Sequence, residues 1–276
     1  MKKVLTIQDI SCFGKCSLTV ALPIISSMGL ETAIIPTAVL STHTGGFEGY
    51  TFRDLTEDIT GIINHWKKVP LTFETVYSGY LGSYEQIDIL CDIFHDFAAH
   101  SLKVVDPVMG DKGELYAGFD NRFALKMRDL CARADVIVPN LTEACAMLGV
   151  DYREDYDAEY INGILIGLRE TGAKNTVLTG VTLERDKIGA AVLAQGSDEA
   201  EYVCTDHLPA SYPGTGDVFA STLTGALTKG LPLTDAARIA VDFTWECIRN
   251  TMPDSSYTYS VKFEECLPSL IKKVNA

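Results

Sequence analysis

The chain has 276 residues, 47% of them hydrophobic, with 23 basic and 37 acidic side chains and a formal net charge of −14. That length and apolar content suffice for a large buried core, and the ordinary charged and aromatic fractions exclude a disordered or fibrous chain. The acidic balance argues against nucleic acid or an anionic membrane as partner, although backbone amides and a metal ion can still hold a phosphate locally.

Short β-branched runs alternate with segments of helical period along the chain. Residues 4–9 read as a strand and 17–28 as the helix after it. Residues 31–40 (ETAIIPTAVL) read as a second strand, followed by the loop STHTGGFEGYT and a helix over 54–68. A strand over 75–80 precedes a helix over 83–100, whose apolar residues fall at 87, 90, 93, 94 and 97. Strands at 103–108 and 136–139 flank a helix over 122–133, and 175–179 forms another strand. Residues 190–194 and 201–205 read as an antiparallel hairpin across QGSDEA, before two long helices over 217–229 and 234–251. Alternation of this kind predicts parallel strands with right-handed crossovers in a layered α/β/α arrangement. No linker, repeat or low-complexity tract interrupts it, so one domain over 1–276 is expected.

Eight cysteines, at 12, 16, 91, 131, 145, 204, 247 and 266, include no C-x-x-C pair. Reduced thiols, mostly in the core, are expected rather than zinc or disulfides. The apolar run behind MKK is too short for a signal peptide, and the stretch over 18–30 is broken by Pro23, Ser26 and Ser27. A cytoplasmic protein without a membrane partner is the expectation.

Open parallel sheets bind ligands beyond the carboxyl ends of their strands. The polar oddities of this chain fall there: Asp9, the run Thr42-His43-Thr44-Gly45-Gly46, Tyr80, Asp106, Asn140 and Thr179-Gly180. Gly214-Thr215-Gly216-Asp217 opens a helix, where free amides and the helix dipole form an anion hole. Alone it is equally a turn followed by a helix-start acid. A P-loop is excluded because Gly14-Lys15 is followed by Cys16, and Phe219 stands where a dinucleotide fingerprint needs a third small residue. In VVDPVMGDKG, Pro107 ends the strand, and Asp106 with Asp111 offers oxygens suited to a hydrated Mg²⁺, unless both acids are merely solvated in a turn. VPNLTEA reads as a capping box between Asn140 and Glu143, whose side chains also suit a metal's water shell. His43 and Thr44 bring hydrogen-bonding groups to a glycine-rich loop, and Tyr80 is either a stacking surface for a flat ligand or a core tyrosine.

In this order, STHTGG, SGYLGS, DPVMGDKG, PNLTEA and PGTGDVFAS resemble the ribokinase-like superfamily, and within it the pyridoxal/pyridoxamine (vitamin B6) kinases. The resemblance covers most of the chain. It implies a ribokinase-like three-layer α/β/α sandwich with a mostly parallel central sheet. It also implies Mg²⁺- and ATP-dependent phosphorylation of the 5′-hydroxymethyl group of a B6 vitamer, with a monovalent cation as a further option and a homodimer as the usual assembly. Asp217 matches the catalytic base, and the backbone of Gly214, Thr215 and Gly216 matches the anion hole. Asp106 and Glu143 match the acids that organise Mg²⁺ and the ATP phosphates, with Asn140 beside them. Thr179 and Gly180 match nucleotide-phosphate contacts, and His43, Thr44 and Tyr80 fall in the substrate pocket. The chain departs from the pattern twice. Ile7-Gln8 is followed by Asp9 instead of a serine that contacts substrate, with Ser11 nearby as a substitute, and no lysine stands near Thr179. A hydroxymethylpyrimidine kinase is the alternative, because its acceptor needs the same base, hole and flat pocket. A sugar or nucleoside kinase comes third, and a non-catalytic vitamer-binding protein is the reading from another class.

Overall fold

The computed structural model describes residues 1–275. Nine strands form one sheet: β1 (Lys3–Ser11), β2 (Glu31–Leu40), β3 (Phe52–Asp54), β4 (Thr75–Ser78), β5 (Leu102–Val105), β8 (Val136–Ile137), β9 (Asn175–Val181), β10 (Lys187–Leu193) and β11 (Glu201–Asp206). The numbers missing from that series, β6 (Gly110–Asp111) and β7 (Glu114–Leu115), form a separate small antiparallel hairpin. Across the large sheet the order is β11-β10-β9-β8-β5-β4-β1-β2-β3. The six central strands from β9 to β2 are parallel, and β3, β10 and β11 add antiparallel edges. The mostly parallel sheet and the 190s hairpin expected from the sequence are therefore present.

Period-two alternation sends side chains to opposite faces of each strand, and both faces are apolar, as buried parallel strands require. Leu5, Ile7, Val76, Val105, Ile137 and Leu178 enter one core, with the helices α2 (Thr56–Trp66), α3 (Tyr84–Asp92), α4 (Asn121–Cys131), α5 (Leu141–Leu148) and α6 (Ala158–Glu170). Val4, Tyr77, Val104, Val136 and Val177 enter the other, with α1 (Leu18–Ser27), α7 (Thr215–Lys229), α8 (Leu233–Thr251) and α9 (Phe263–Lys273). Each fully buried Val, Leu or Ile contributes about 1.5–3 kcal/mol over an exposed one, so these two apolar layers are the main source of stability. Among the described residues no helix is long and apolar enough to cross a membrane, and all eight cysteines are unbridged.

Several elements differ from the sequence expectation. The helix expected over 83–100 stops at Asp92 and relaxes into a π-helical turn, Ile93–Phe97. The helix expected from 54 yields its first residue to β3, an edge strand of three exposed residues that carries no alternation to read. Two helices had no counterpart. In α6, Ile161, Ile164, Leu165 and Leu168 do mark a buried stripe at helical spacing, whereas in α9 Pro268 lies inside the helix and obscures its pattern. The first strand runs past Asp9 to Ser11.

The antiparallel edge has a tight point. Gly189 of β10 lies opposite Cys204, and a β-carbon there would sit 1.9 Å from the Val203 carbonyl oxygen. Backbone cannot yield as a flexible side chain does, so Gly189→Ala forces the two strands apart. Overpacking of this kind costs about 1–3 kcal/mol, and the expected result is a urea midpoint lowered accordingly; an unchanged midpoint means that the edge adapts.

Candidate active site

The carboxyl edge of the sheet opens into a cavity of about 380 Å³. Because strand order in space differs from order in the chain, the sequence motifs line up along it in a new sequence. From one end come Thr179 (β9), Asn140 and Glu143 (after β8), Asp106 (after β5), Tyr80 (after β4), Asp9 and Ser11 (β1), then His43 and Thr44 (after β2). Asp217, Gly214 and Gly216 enter the same cavity from the start of α7. No lysine or arginine is on the wall.

Helix α7 begins at Gly214, whose φ of 80° is left-handed, where glycine is favoured over every other residue. The first intrahelical bond runs from the Val218 N–H to the Gly214 carbonyl oxygen, and no side chain caps the helix. The amides of Thr215, Gly216 and Asp217 thus belong to the unsatisfied first turn, at the positive end of the helix dipole. Gly214 has no room for a side chain, since a β-carbon would lie 2.6 Å from the Lys15 carbonyl oxygen. Gly216 has only open space around such a position. The Thr215 side chain is turned away, its hydroxyl donating to the Tyr212 carbonyl at 3.1 Å, and it is absent from the cavity wall.

Asp217 faces the cavity but is closely surrounded by protein. Its carboxyl is raised to about 7, mainly by burial and further by the neighbouring Asp9, against the opposing effect of the nearby Ser17 amide and Cys16 thiol. Asp106 is 7% exposed. Its amide donates to the Ser78 carbonyl at 2.9 Å, and among the described residues its carboxylate has no hydrogen-bond donor. Burial raises it well above the carboxylate range, and Glu143 and Asp217 add to the effect.

Asn140 and Glu143 make the capping box read from PNLTEA. The Asn140 Oδ1 accepts from the Glu143 amide at 3.0 Å, and the Glu143 Oε2 accepts from the Asn140 amide at 2.9 Å. Their remaining groups do more. The Asn140 Nδ2 donates to the Gly110 carbonyl at 2.8 Å, and the Glu143 Oε1 accepts from the Met109 amide at 3.1 Å. The pair therefore clamps the loop after Asp106 onto α5, and Asn140 acts through its backbone clamp, with both ends of its amide engaged. Asp111, expected beside Asp106, is instead exposed on the β6–β7 hairpin, accepts from the Lys112 amide, and is off the cavity wall.

At the other end, Asp9 and Ser11 lie two apart on β1 and so share a face; the Ser11 hydroxyl donates to Asp9 Oδ2 at 3.1 Å. His43 is 5% exposed. Its Nδ1 accepts from the Gly45 amide at 3.1 Å, which leaves Nε2 as the donor to the Tyr259 carbonyl at 2.8 Å. That tautomer is neutral, and both ring nitrogens are occupied in holding the loop. Thr44 is exposed at the rim. Tyr80 is half-buried, its ring 5.8 Å from that of Phe119, and burial raises its hydroxyl to about 12.

Gly180 is off the wall as well. It is the extra residue between Thr179 and Val181 where β9 shifts register against β10, and its φ of 71° is that of a bulge. Sequence reasoning missed Cys16 and Ser17, and the aromatics Tyr50, Phe52, Tyr116 and Phe119, which all line the cavity. The one signal for the aromatics was their setting in short segments rich in glycine and polar residues.

A family model described as phosphomethylpyrimidine kinase matches residues 24–262. A pyridoxine/pyridoxal/pyridoxamine kinase from Bordetella bronchiseptica is 28% identical, over 90% of this chain and 89% of its own. The crystal structure of a pyridoxal kinase from Lactobacillus plantarum superposes with a TM-score of 0.89 at 32% identity, covering 99% of this chain and 97% of that one. A candidate phosphomethylpyrimidine kinase from Bacteroides thetaiotaomicron, crystallised with pyridoxal, superposes with a TM-score of 0.92 at 40% identity, over 98% and 95% of the two chains. By sequence and by its α/β/α architecture, the chain belongs to the phosphomethylpyrimidine kinase family, of ribokinase-like fold.

Proposed function

We propose that this chain transfers the γ-phosphoryl group of ATP to the hydroxymethyl group of a B6 vitamer. The observation that carries the reading is the order of groups along one cavity. Buried acids and polar backbone stand at the β5–β8–β9 end, aromatic rings and Asp9 stand at the β4–β1–β2 end, and Asp217 with the unsatisfied α7 amides enters the same cavity. The Bordetella and Lactobacillus relatives, named as kinases of B6 vitamers, and the Bacteroides relative, crystallised with pyridoxal, support that choice of acceptor. The family description keeps hydroxymethylpyrimidine as the second reading.

In-line phosphoryl transfer requires placement and charge neutralisation more than covalent help. The amides of Thr215, Gly216 and Asp217 are aimed where negative charge accumulates on the transferring group, and they need no reorganisation to act. Asp217 accepts the proton of the acceptor hydroxyl; a carboxyl raised by burial is a better base than an exposed one. The donor set fits Mg²⁺. Asp106 presents a carboxylate without another partner, and Glu143 stands beside it with both oxygens already receiving amide bonds. No cluster of three protein ligands occurs among the described residues, so an ion here would keep waters and phosphate oxygens in its shell. Bound there, Mg²⁺ would neutralise phosphate charge that no lysine or arginine on the wall can meet. Tyr80 and Phe119 offer flat surfaces to a heteroaromatic ring, and the irregular segments carrying Tyr116 and Pro213 also line the cavity.

The test is ADP release from ATP and Mg²⁺ against pyridoxal, pyridoxamine, pyridoxine, hydroxymethylpyrimidine and ribose. Turnover on the vitamers is expected. Turnover on hydroxymethylpyrimidine alone moves the assignment to the second reading, and vitamer binding without turnover makes the chain a binding protein.

Asp217→Asn is expected to lower kcat by roughly 10²–10⁴ while vitamer binding persists. The same carboxyl sets a pH dependence. Below about 7 it is protonated and cannot accept a proton, so kcat/KM rises with pH up to that point and then levels. An acid limb in the ordinary carboxylate range would remove Asp217 as the base.

The two glycines separate stability from chemistry. Gly214→Ala is expected to lower both thermal stability and turnover, because its β-carbon meets backbone at 2.6 Å. Gly216→Ala has space and gains about 0.5–1 kcal/mol of helix preference, so it should melt no lower than the parent protein. Its methyl group projects at the cavity, and the expected result is a turnover at least tenfold lower. Full activity in Gly216→Ala would show that phosphate is not seated on these amides.

A further inference from the structure

The acceptor end of the cavity holds a carboxylate whose charge nothing in the protein matches. Asp9 is 4% exposed and lines the cavity. It receives the Ser11 hydroxyl at 3.1 Å, and the Ser17 side chain also stands beside it. Both are neutral. The groups facing Asp9 from the surrounding elements are the neutral His43 after β2, Tyr80 after β4, Cys16 and Ser17 before α1, and Asp217 on α7. None supplies a fixed positive charge, and Asp217 adds a negative one. Lys15, in the segment between β1 and α1, is engaged elsewhere, its Nζ paired with Glu264 at 2.6 Å and lying over the rings of Tyr257 and Phe263.

Burying an ionised carboxylate without a cation is unfavourable, and proteins meet the demand with an ion pair or by holding the proton. Here Asp9 lines the cavity, so a ligand in the cavity can supply the partner. Asp9 also shares the cavity wall with Asp217 and Gly214, and with Cys16, whose Sγ lies 3.3 Å from where a Gly214 β-carbon would stand. A partner for Asp9 is therefore carried by the acceptor, close to its hydroxymethyl group.

We propose that Asp9 is the counter-charge for a protonated amine on the acceptor, borne by the substituent next to the reacting hydroxymethyl group, so that the site selects among otherwise similar acceptors by charge. The proposal rests on the kinase reading for its acceptor class. Pyridoxamine has such an ammonium. Pyridoxine has a hydroxyl at the same place, with nearly the same shape and no charge, so the pair isolates the effect.

The experiment measures binding of pyridoxamine and pyridoxine by calorimetry, and kcat and KM for both, in the parent protein and in Asp9→Asn and Asp9→Ser. Thermal melting of each variant checks that it is folded, and Asp9→Ser is the second route should the amide fit poorly. Loss of a charge-assisted hydrogen bond predicts pyridoxamine binding weaker by roughly 10- to 100-fold, seen in KM more than in kcat, with pyridoxine nearly unchanged. Equal losses for both ligands would place the contact on a group they share and overturn the proposal. So would unchanged affinities in either folded variant. The binding arm is independent of turnover: charge selectivity without phosphoryl transfer sustains the Asp9 inference and defeats the kinase reading, whereas turnover without selectivity does the reverse.

Discussion

Carboxylates taken out of water need positive charge beside them, and four of them, Asp9, Asp106, Glu143 and Asp217, face one cavity whose wall has no lysine or arginine. The shortage of cations governs the design. Glu143 meets it with backbone amides, which lets this acid serve as a structural clamp. Asp217 meets it partly through the helix dipole and partly by a raised proton affinity, which suits a base. Asp106 is left without a donor, which suits a metal ion. The acids thus differ in role because their surroundings differ, although each stands near or just beyond the end of a strand or at a helix start. The formal charge of −14 is consistent with a protein that handles phosphate through local amides and a cation rather than through a basic surface.

Much of this was legible in the sequence, for a definite reason. Parallel strands buried on both faces are continuous apolar runs, and polar residues appear where those runs end, so the active edge announces itself as a series of interruptions. Fourteen candidate positions, besides Asp111 on its hairpin, stood at such interruptions or in GTGD, and all but Gly180 and Thr215 reach the cavity wall. Those two were read from their motifs, yet their local geometry serves the backbone. Gly180 is a bulge residue, and the Thr215 hydroxyl bonds back to Tyr212. The capping box at Asn140 was legible because its pattern is local, spanning four residues. Its second function was not, since the bonds to Met109 and Gly110 join segments some thirty residues apart. The aromatics Tyr50, Tyr116 and Phe119, isolated in loops, and Phe52, in a three-residue edge strand, were illegible because none sits in a run long enough to have a period from which to infer a direction.

The segment between β1 and α1 shows a further limit, and it ties the two ends of the site together. Gly14, Lys15 and Ser17 all have positive φ, and two of the three are not glycine. Such geometry is strained for a residue with a side chain and persists only where the surroundings hold it. Here they do. His43 packs so close to Gly14 that a β-carbon would lie 2.2 Å from its ring, and His43 is itself fixed by the Tyr259 carbonyl. The Ser260 hydroxyl donates to the Lys15 carbonyl at 3.1 Å, and that carbonyl is the atom that excludes any side chain at Gly214.

The contacts form one chain of contiguous packing. The histidine loop fixes the strained segment, and that segment fixes the first residue of α7. Sequence order places these groups at 14–17, 43, 214–217 and 259–260, and no local pattern relates them. The site is therefore more rigid than its glycine content suggests. Gly14 and Gly214 are places where neighbouring backbone or ring atoms leave no volume for a side chain, and their freedom is removed by contact. A helix-start turn held this way keeps its amides aimed before any ligand arrives, which is what electrostatic preorganisation of the proposed phosphate site requires.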